Sequence, residues 1–236
     1  MRLESPFRSD WEVVSDIPLN ETIKILSQPY AYLDRGAQCY VFASHDGEYV
    51  VKLFRFDRSS KRKKTSSHRK VNALFSACVL AYTRAQEETG VLFLHLNQTE
   101  NLFPLFHATG PLGQPFTLAL DRYRFAIQKR VNPFEKSLLE AYHSQNPEMM
   151  KKRIDSFLSI LHSRVGKGIR NSDPSLSRNF GFLGEQAFEI DFGNYSENGV
   201  PRGKEIARYS GKLRLWLLEN APEWVEYLDE KVSHDR

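Results

Sequence analysis

The 236-residue chain has little of what would place it at once in a familiar structural class. Its two cysteines, Cys39 and Cys78, are too few for a disulfide framework and lack metal-ligand spacing, which is typical of a reducing compartment. There is no long apolar run and no charged-then-apolar opening, so neither a membrane span nor a classical signal peptide is predicted. We therefore expect a cytoplasmic protein, while secretion as an effector by other machinery would leave no such trace.

The chain also lacks the signatures of several enzyme classes. G-x-S-x-G, a Walker A sequence, zinc-ligand spacing, internal repeats and low-complexity segments are all missing. At 41% hydrophobic and 12% aromatic residues it can bury a sizeable core, as one domain of two lobes or as two small domains. The formal charge of +4 weakly favours anionic partners, nucleotides included.

Acidic residues are missing altogether from Lys61 to Gln86, and basic residues are concentrated at 61–70. Such a run attracts nucleic acid or an anionic membrane surface. However, no aromatic residues are interleaved to stack on bases, so a solvated connection is the simpler interpretation. Nucleic-acid binding through residues 61–70 is therefore only a third hypothesis for function.

The first strong structural signal is a hairpin within Tyr30–Phe56. Asp46-Gly47 supplies the turn. Large apolar side chains occupy alternate positions on both sides of it: Tyr40, Phe42, Tyr49, Val51 and Leu53. Lys52 interrupts an otherwise apolar strand, so we expect its ammonium group to have a specific partner.

Periodicity predicts the remaining elements. Apolar residues from Val71 to Tyr82 recur at helical spacing, and residues 102–130 read as strands with a turn at Gly110-Pro111 or at Gly113. The last of these strands is Ala126–Arg130. Five further helices are predicted, at Glu21–Leu26, Phe134–His143, Glu148–Val165, Lys204–Asn220 and Trp224–Val232.

A polar loop follows the second long helix. It contains Asp173 and Asn179, and a hairpin around Gly184-Glu185 then brings Asp191 to a strand end. Two carboxylates and an amide can hold Mg²⁺ through hard oxygen ligands and orient a hydroxyl group beside a phosphate. Asn179 and Asp191 are thus predicted metal ligands, and Asp173 the residue that orients or deprotonates the nucleophile. The simpler interpretation is two ordinary turns.

Taken in order, these segments resemble the motifs of protein kinases, which run G-x-G-x-x-G-x-V, V-A-I-K, H-R-D-L-x-x-x-N and D-F-G. Gly36 stands at the middle glycine of the first motif and Val41 at its closing valine. Lys52 stands at the lysine of the second, and residues 191–193 match the last. The resemblance covers roughly residues 30–195.

The resemblance implies an α+β, two-lobed protein kinase-like fold. It would have a small antiparallel β lobe with one main helix, and a reduced, mainly helical C-lobe. The expected domains are an N-terminal extension at 1–28, a nucleotide-binding N-lobe at 29–130, and a C-lobe at 131–236 that carries the catalytic loop and the D-F-G segment.

The resemblance also implies ATP and Mg²⁺ as cofactors. Gly36, Val41 and Lys52 would serve the phosphates, because a tight hairpin lets backbone N–H groups approach them and a lysine neutralises their charge. Gln128 lies in the strand that would lead to the adenine-binding hinge. Asp173 and Lys52 would be the catalytic residues.

The catalytic loop departs from the kinase pattern, because H-R-D is missing and Asp173 precedes Asn179 by six residues instead of five. A one-residue bulge would still bring both side chains to one metal site. The alternative alignment equates Arg170-Asn171 with Arg-Asp, which places an amide at the base position and predicts little catalysis. Asp34 and Cys39 also replace the outer glycines of the first motif.

The partner of Lys52 is open as well. The predicted main helix has no acidic residue, and the first candidates after it are Glu87 and Glu88. Glu88 suits this role if the next strand begins near Leu102, and comes too late if that strand is Val91–Leu96.

Two main hypotheses for function follow. The first is an ATP- and Mg²⁺-dependent phosphotransferase acting on a protein or small-molecule hydroxyl. The second is a pseudokinase, a scaffold that binds nucleotide or protein without turnover.

Overall fold

The structure is a computed structural model that describes residues 7–55, 64–197 and 201–233. The chain divides into two compact units. The first comprises Met1–Gln86 and Val91–Arg130, and the second Glu87–Gly90 and Val131–Arg236.

The first unit is built on a seven-stranded sheet with the order β4-β7-β3-β2-β1-β5-β6. Its strands are β1 (Tyr30–Arg35), β2 (Cys39–Ser44), β3 (Tyr49–Phe54), β4 (Val91–His95), β5 (Leu105–Thr109), β6 (Pro115–Ala119) and β7 (Phe125–Lys129). The helices are α1 (Leu19–Leu26) and the main helix α2 (Lys64–Arg84). The short α3 (Gln86–Thr89) precedes β4 in the chain and lies, from Glu87 on, in the second unit.

The predicted hairpin is confirmed as β2 and β3, which pair antiparallel. Gly47 adopts a φ of +79° at the turn, a conformation that glycine reaches without strain. Asp46 Oδ1 fixes this turn by accepting hydrogen bonds from Ser44 Oγ (2.6 Å) and Glu48 N (3.0 Å). Local sequence therefore determines the register that sets the position of Lys52.

One pairing in the sheet differs from the antiparallel expectation. β1 pairs with β5 in parallel, and the β5–β6 hairpin extends the sheet beyond β1. A parallel neighbour needs a long connection and leaves no local sequence signal, which is why periodicity did not indicate it.

The two faces of the sheet are packed differently. Phe42, Val51 and Ile127 belong to an aromatic-rich cluster of buried side chains. On the opposite face Phe54 meets Phe75 of α2, with ring centroids 5.6 Å apart. Sequence periodicity therefore located α2 correctly as the main helix of this unit.

The second unit is mainly helical. Its longer helices are α4 (Phe134–His143), α5 (Pro147–Gly166), α7 (Arg202–Asn220) and α8 (Val225–Ser233), and all four were predicted within a few residues. The short elements between α5 and α7 are β9 (Arg170–Asn171), α6 (Leu176–Asn179), β10 (Phe180–Leu183), β11 (Gln186–Glu189) and β12 (Tyr195–Ser196), and the strand β8 (Asn132–Pro133) precedes α4. The fold class is thus α+β, a small β unit with one main helix and a reduced helical unit.

The short strands of the second unit position its polar loop. β10 and β11 form the predicted hairpin, with Gly184 at a φ of +62° in the turn. β9 pairs with β12, so the chain before Asp173 is joined to the chain after Asp191. Both ends of the loop therefore have fixed backbone partners.

The basic run at 61–70 lies partly outside the described residues, since 56–63 are not described and α2 begins at Lys64. Among the helices that are described, none is long and apolar enough to cross a bilayer.

A buried histidine links the loop before β5 to the sheet. His95 lies between the rings of Phe103 and Phe125, both with centroids 5.0 Å from its own. Its Nδ1 lies 2.8 Å from Tyr123 O, and since a carbonyl only accepts, this nitrogen carries the proton. Burial lowers the pKa of His95 to about 4.

This low pKa predicts acid sensitivity of the fold. The pKa of His95 is lower in the folded chain than in the unfolded chain, so the stability that the neutral ring contributes is present above pH 6.5 and lost as pH falls towards 4. Between pH 7.5 and pH 5, we expect the free energy of unfolding to fall by about 2 kcal/mol more in the wild type than in His95→Gln. Urea unfolding at the two pH values measures this, and equal losses in both proteins would contradict it.

Candidate catalytic and metal-binding site

The polar loop of the second unit is organised around Asn171, which is fully buried. Its Nδ2 donates to Glu189 Oε1 (2.8 Å) and to Asp191 O (2.9 Å), and its Oδ1 accepts from Asp173 N (3.0 Å). Both donors and the acceptor of the amide are therefore used within the protein. Asn171 consequently serves as a structural link between the segment of Asp173 and that of Asp191.

Asp173 differs from Asn171 in exposure, because it is only half-buried. Its Oδ1 accepts a hydrogen bond from Ser175 N (3.2 Å), which fixes the carboxylate at the start of the loop. Its backbone carbonyl accepts from Tyr209 OH (3.0 Å) and Asn179 Nδ2 (2.8 Å). Of the two residues considered for the base position, Asn171 is buried and has an amide, whereas Asp173 has a carboxylate that solvent can reach.

Asn179 carries a buried side-chain oxygen without a hydrogen-bond partner, as do Glu88 and Ser137 among the described residues. The residue is fully buried, and its Oδ1 has no hydrogen-bond partner among the described residues, although its Nδ2 is bonded to Asp173 O. Leaving a buried amide oxygen unpaired costs about 1–3 kcal/mol, so such an atom calls for an explanation.

Asn179 and Asp191 are held together by their backbones. Asn179 O accepts from Ile190 N (2.6 Å) and lies 3.4 Å from Asp191 N. Asp191 lies two residues after the end of β11, is half-buried, and accepts at Oδ1 from Gly193 N (3.2 Å). Hydrogen bonds of Asn179 thus join the backbone of Asp173 to the segment of Asp191.

The donor types fit Mg²⁺, which prefers carboxylate and amide oxygens over nitrogen or sulfur. The unpaired Oδ1 of Asn179, a residue whose backbone carbonyl is bonded to the segment of Asp191, is an oxygen that a hard cation could use. Within the described part of the chain, no group of three or more His, Cys, Asp or Glu side chains could hold a metal. A metal at this loop would therefore depend on the amide of Asn179 as well as on carboxylates.

Buried charge lies beneath this loop. Glu189 is 1% exposed, and burial raises its pKa, against the opposing effect of the Arg164 guanidinium. Tyr195 donates to Glu189 Oε2 (2.8 Å), and burial raises the pKa of that phenol well above its usual value. The hydrogen-bonded pair of Glu189 and Tyr195 therefore holds the chain close to Asp191, which lies two residues after Glu189.

In the first unit, the sheet register arranges three of the predicted nucleotide-site residues. Lys52 on β3 is directly opposite Val41 on β2 and Ala126 on β7, so the three side chains share one face. Gln128, two residues beyond Ala126 on β7, lies on the same face and is fully buried. Phe54, on this face of β3, contacts α2, so Lys52 lies on the side of the sheet that the main helix covers.

Gly36 connects β1 to β2. Its N–H donates to Cys39 O (3.0 Å), and Arg55 Nη1 donates to its carbonyl (3.2 Å). A Cβ atom at Gly36 would meet nothing closer than Cys39 O at 3.9 Å, so the local backbone does not require glycine. A requirement for glycine here would have to come from a ligand.

Glu88 lies where the sequence argument counted it as too late to serve Lys52, because the next strand, β4, begins at Val91. It is buried on the short α3 in the second unit. Lys167 Nζ lies 2.6 Å from its Oε1, and Ser163 Oγ donates to the same oxygen. Its carboxylate thus has cationic and hydroxyl partners from the region of α5 that the sequence analysis did not name.

Sequence reasoning missed the supporting residues of the loop. Asn171 was considered only as a base, and Arg164 and Glu189 were not considered at all. Their side chains are charged or polar, which is typical of surface positions, and only long-range packing buries them. The one available signal was that Arg164 interrupts the apolar stripe of α5 between Leu161 and Val165.

Comparisons with known proteins give similarities at the level of solved structures. No protein-family model matches the sequence, and no curated protein matches it significantly. WbdD bound to the kinase inhibitor LY294002 is 14% identical, with a TM-score of 0.43, over 79% of this chain and 36% of that one. A structure of WbdD described as a bifunctional kinase-methyltransferase is 14% identical, with a TM-score of 0.41, over 76% of this chain and 33% of that one.

The LegK7 effector kinase of Legionella pneumophila is 10% identical, with a TM-score of 0.35, over 75% of this chain and 32% of that one. The chain thus spans about a third of the length of these structures. What they bind or act on is a property of those proteins. A sheet-based first unit with one main helix, followed by a mainly helical second unit, gives this chain the α+β, two-unit architecture expected from its sequence.

The geometry predicts a large loss of stability for a substitution at Asn171 and almost none for one at Asp173. Asn171→Ala would leave Glu189 Oε1, Asp173 N and Asp191 O without their partner, so the free energy of unfolding should fall by about 2–4 kcal/mol. Asp173→Asn keeps an acceptor for Ser175 N, so it should change stability by no more than about 0.5 kcal/mol. Urea unfolding of both variants measures this, and equal losses would contradict the assignment of Asn171 as the structural residue.

Proposed function

We propose that the chain is an ATP- and Mg²⁺-dependent phosphotransferase that transfers the γ-phosphoryl group to a hydroxyl of a protein or small molecule. The observation that carries this proposal is the buried, unpartnered Oδ1 of Asn179, on a residue whose backbone carbonyl is bonded to the segment of Asp191. A divalent cation would pair that oxygen, and when bound it neutralises charge on the nucleotide phosphates.

Asp173 is the proposed base. Its half-buried carboxylate would accept the proton of the acceptor hydroxyl while that oxygen bonds to the γ-phosphorus, and the bond from phosphorus to the bridging oxygen of ADP breaks. Support comes from the link to Asn171, since Asp173 N is held by an amide that also holds Asp191 O. The proposed base, Asp173, and the proposed metal ligand, Asp191, are therefore both hydrogen-bonded to Asn171.

Residues of the first unit are proposed to bind the nucleotide. Lys52 would neutralise phosphate charge, with Val41 beside it on the same face of the sheet, and Gly36 would let a phosphate approach the hairpin. Gln128 is proposed to take part in nucleotide binding because it lies on β7, near the point where the chain leaves the sheet. Glu88 is proposed only as a support of α3, because Lys167 and Ser163 already bind its carboxylate.

The second candidate function is a pseudokinase that binds nucleotide or protein without turnover. The observation that favours it is in the first unit, where Asp34 and Cys39 occupy the positions of the outer glycines and Gly36 is not required by its own backbone. Side chains at those two positions restrict how closely a phosphate can approach the β1–β2 connection.

The test is thermal stability with ATP, with Mg²⁺, and with both. A ligand that binds only the folded chain stabilises it by about 2.7 kcal/mol at roughly 100 times its Kd. We expect a shift that needs both ligands and is lost in Asp191→Asn. The matched control is Asp155→Asn, since Asp155 is a half-exposed carboxylate of the same unit that binds Tyr227 and Lys231 outside the loop.

Asp173→Asn separates the two candidate functions. For a phosphotransferase, this variant should keep the shift and consume ATP about 100-fold more slowly or worse, because it lacks a base. A shift that ATP produces without any metal requirement would favour the pseudokinase. If neither ligand shifts the wild type at saturating concentration, the proposed nucleotide site is wrong.

A further inference from the structure

A buried arginine supports the polar loop of the second unit. Arg164, near the end of α5, has a side chain that is fully buried. Its Nε lies 2.7 Å from Glu189 Oε2, its Nη1 lies 3.1 Å from Glu205 Oε1, and Nη1 also donates to Ile169 O at 3.1 Å. One cation thus joins β11, α7 and the chain that leads into β9.

Both carboxylates that Arg164 pairs with also bind Asn171. Glu189 Oε1 accepts from Asn171 Nδ2, and Glu205 Oε1 accepts from Asn171 N at 3.2 Å. Asn171 is therefore held at its side chain and at its backbone by two acids whose charges Arg164 compensates. Removing the arginine would leave two buried carboxylates in excess of nearby positive charge, apart from the partly exposed Arg208 on Glu205.

From Asn171 the connection to the proposed metal site is direct. The nitrogen that donates to Glu189 also donates to Asp191 O, and Asn171 Oδ1 accepts from Asp173 N. A displaced Glu189 would therefore move Asn171, and with it the backbone of both aspartates. Within the described residues, Arg164 touches neither aspartate itself.

We propose that Arg164 is a positioning residue that, through Glu189, Glu205 and Asn171, sets the affinity of the Asn179–Asp191 pair for a divalent cation. This proposal rests on the proposed function, because it concerns the same cation. The inference goes beyond the proposed function because it assigns a role to a buried ion-pair network. In the proposed mechanism this network makes no contact with the nucleotide phosphates or the acceptor.

The chain offers a matched control on the same helix. Arg153 is also buried and lies about three turns before Arg164, so both project from one face of α5. Its Nη2 lies 3.2 Å from Glu140 Oε2, Nε donates to Gly184 O at 3.2 Å, and Nη1 donates to Ser137 O. None of these groups bonds to Asn171, so loss of Arg153 removes a buried cation and its ion pair with the exposed Glu140, and leaves the bonds of Asn171 in place.

The experiment compares Arg164→Met with Arg153→Met in the full chain. Thermal stability is recorded at fixed saturating ATP over a titration of MgCl₂, and the Mg²⁺ concentration that gives half of the maximal shift is determined for each protein. Both variants should melt at a lower temperature than the wild type. Only Arg164→Met should need more Mg²⁺, by about tenfold, because its metal ligands are no longer held in place.

Arg164→Lys is the second variant, in case Arg164→Met does not fold. It keeps the positive charge but loses the planar fork that reaches Glu189 and Glu205 together, so it should fold and raise the Mg²⁺ midpoint at least threefold. An Mg²⁺ midpoint that is unchanged in the folded Arg164 variants, or raised equally in Arg153→Met, would overturn the positioning role alone. Absence of any ATP- and Mg²⁺-dependent shift in the wild type would overturn the proposed function and this inference together.

Discussion

The amide of Asn171 is the constraint on which the second unit depends most. Two segments that are distant in sequence, one at Asp173 and the other at Glu189 to Asp191, meet at this one side chain. A buried amide is stable only when all its hydrogen-bonding groups are paired, so the two segments have to adopt one arrangement together. The charges around it impose the same condition, since Arg164 compensates two buried carboxylates that both bind Asn171.

This arrangement explains why one buried oxygen stays without a protein partner. The loop that satisfies Asn171 completely leaves Asn179 Oδ1 without a hydrogen-bond partner among the described residues. An unpaired amide oxygen is a ligand type that a hard cation such as Mg²⁺ prefers, so coordination of a cation would account for it. The proposed phosphotransfer rests on this cation and on the half-buried Asp173 as base.

The sequence was sufficient for the longer helices and for the two hairpins around Gly47 and Gly184. The Asp46-Gly47 turn fixed the hairpin and so the register of Lys52 with Val41, and apolar spacing located α2, α4 and α5. It was not sufficient for contacts between distant segments. The parallel β1–β5 pairing, the Lys167 partner of Glu88 and the burial of Arg164 and Glu189 all result from packing that no local pattern encodes.

The most direct measurement of the central claim is the position of a bound cation. Crystals grown with MnCl₂ and a non-hydrolysable ATP analogue would locate manganese, a close substitute for Mg²⁺, by its anomalous scattering. The account predicts one strong peak about 2.0–2.3 Å from both Asn179 Oδ1 and a carboxylate oxygen of Asp191. A peak elsewhere, or an Asn179 Oδ1 paired with a protein donor in the presence of the ion, would contradict it.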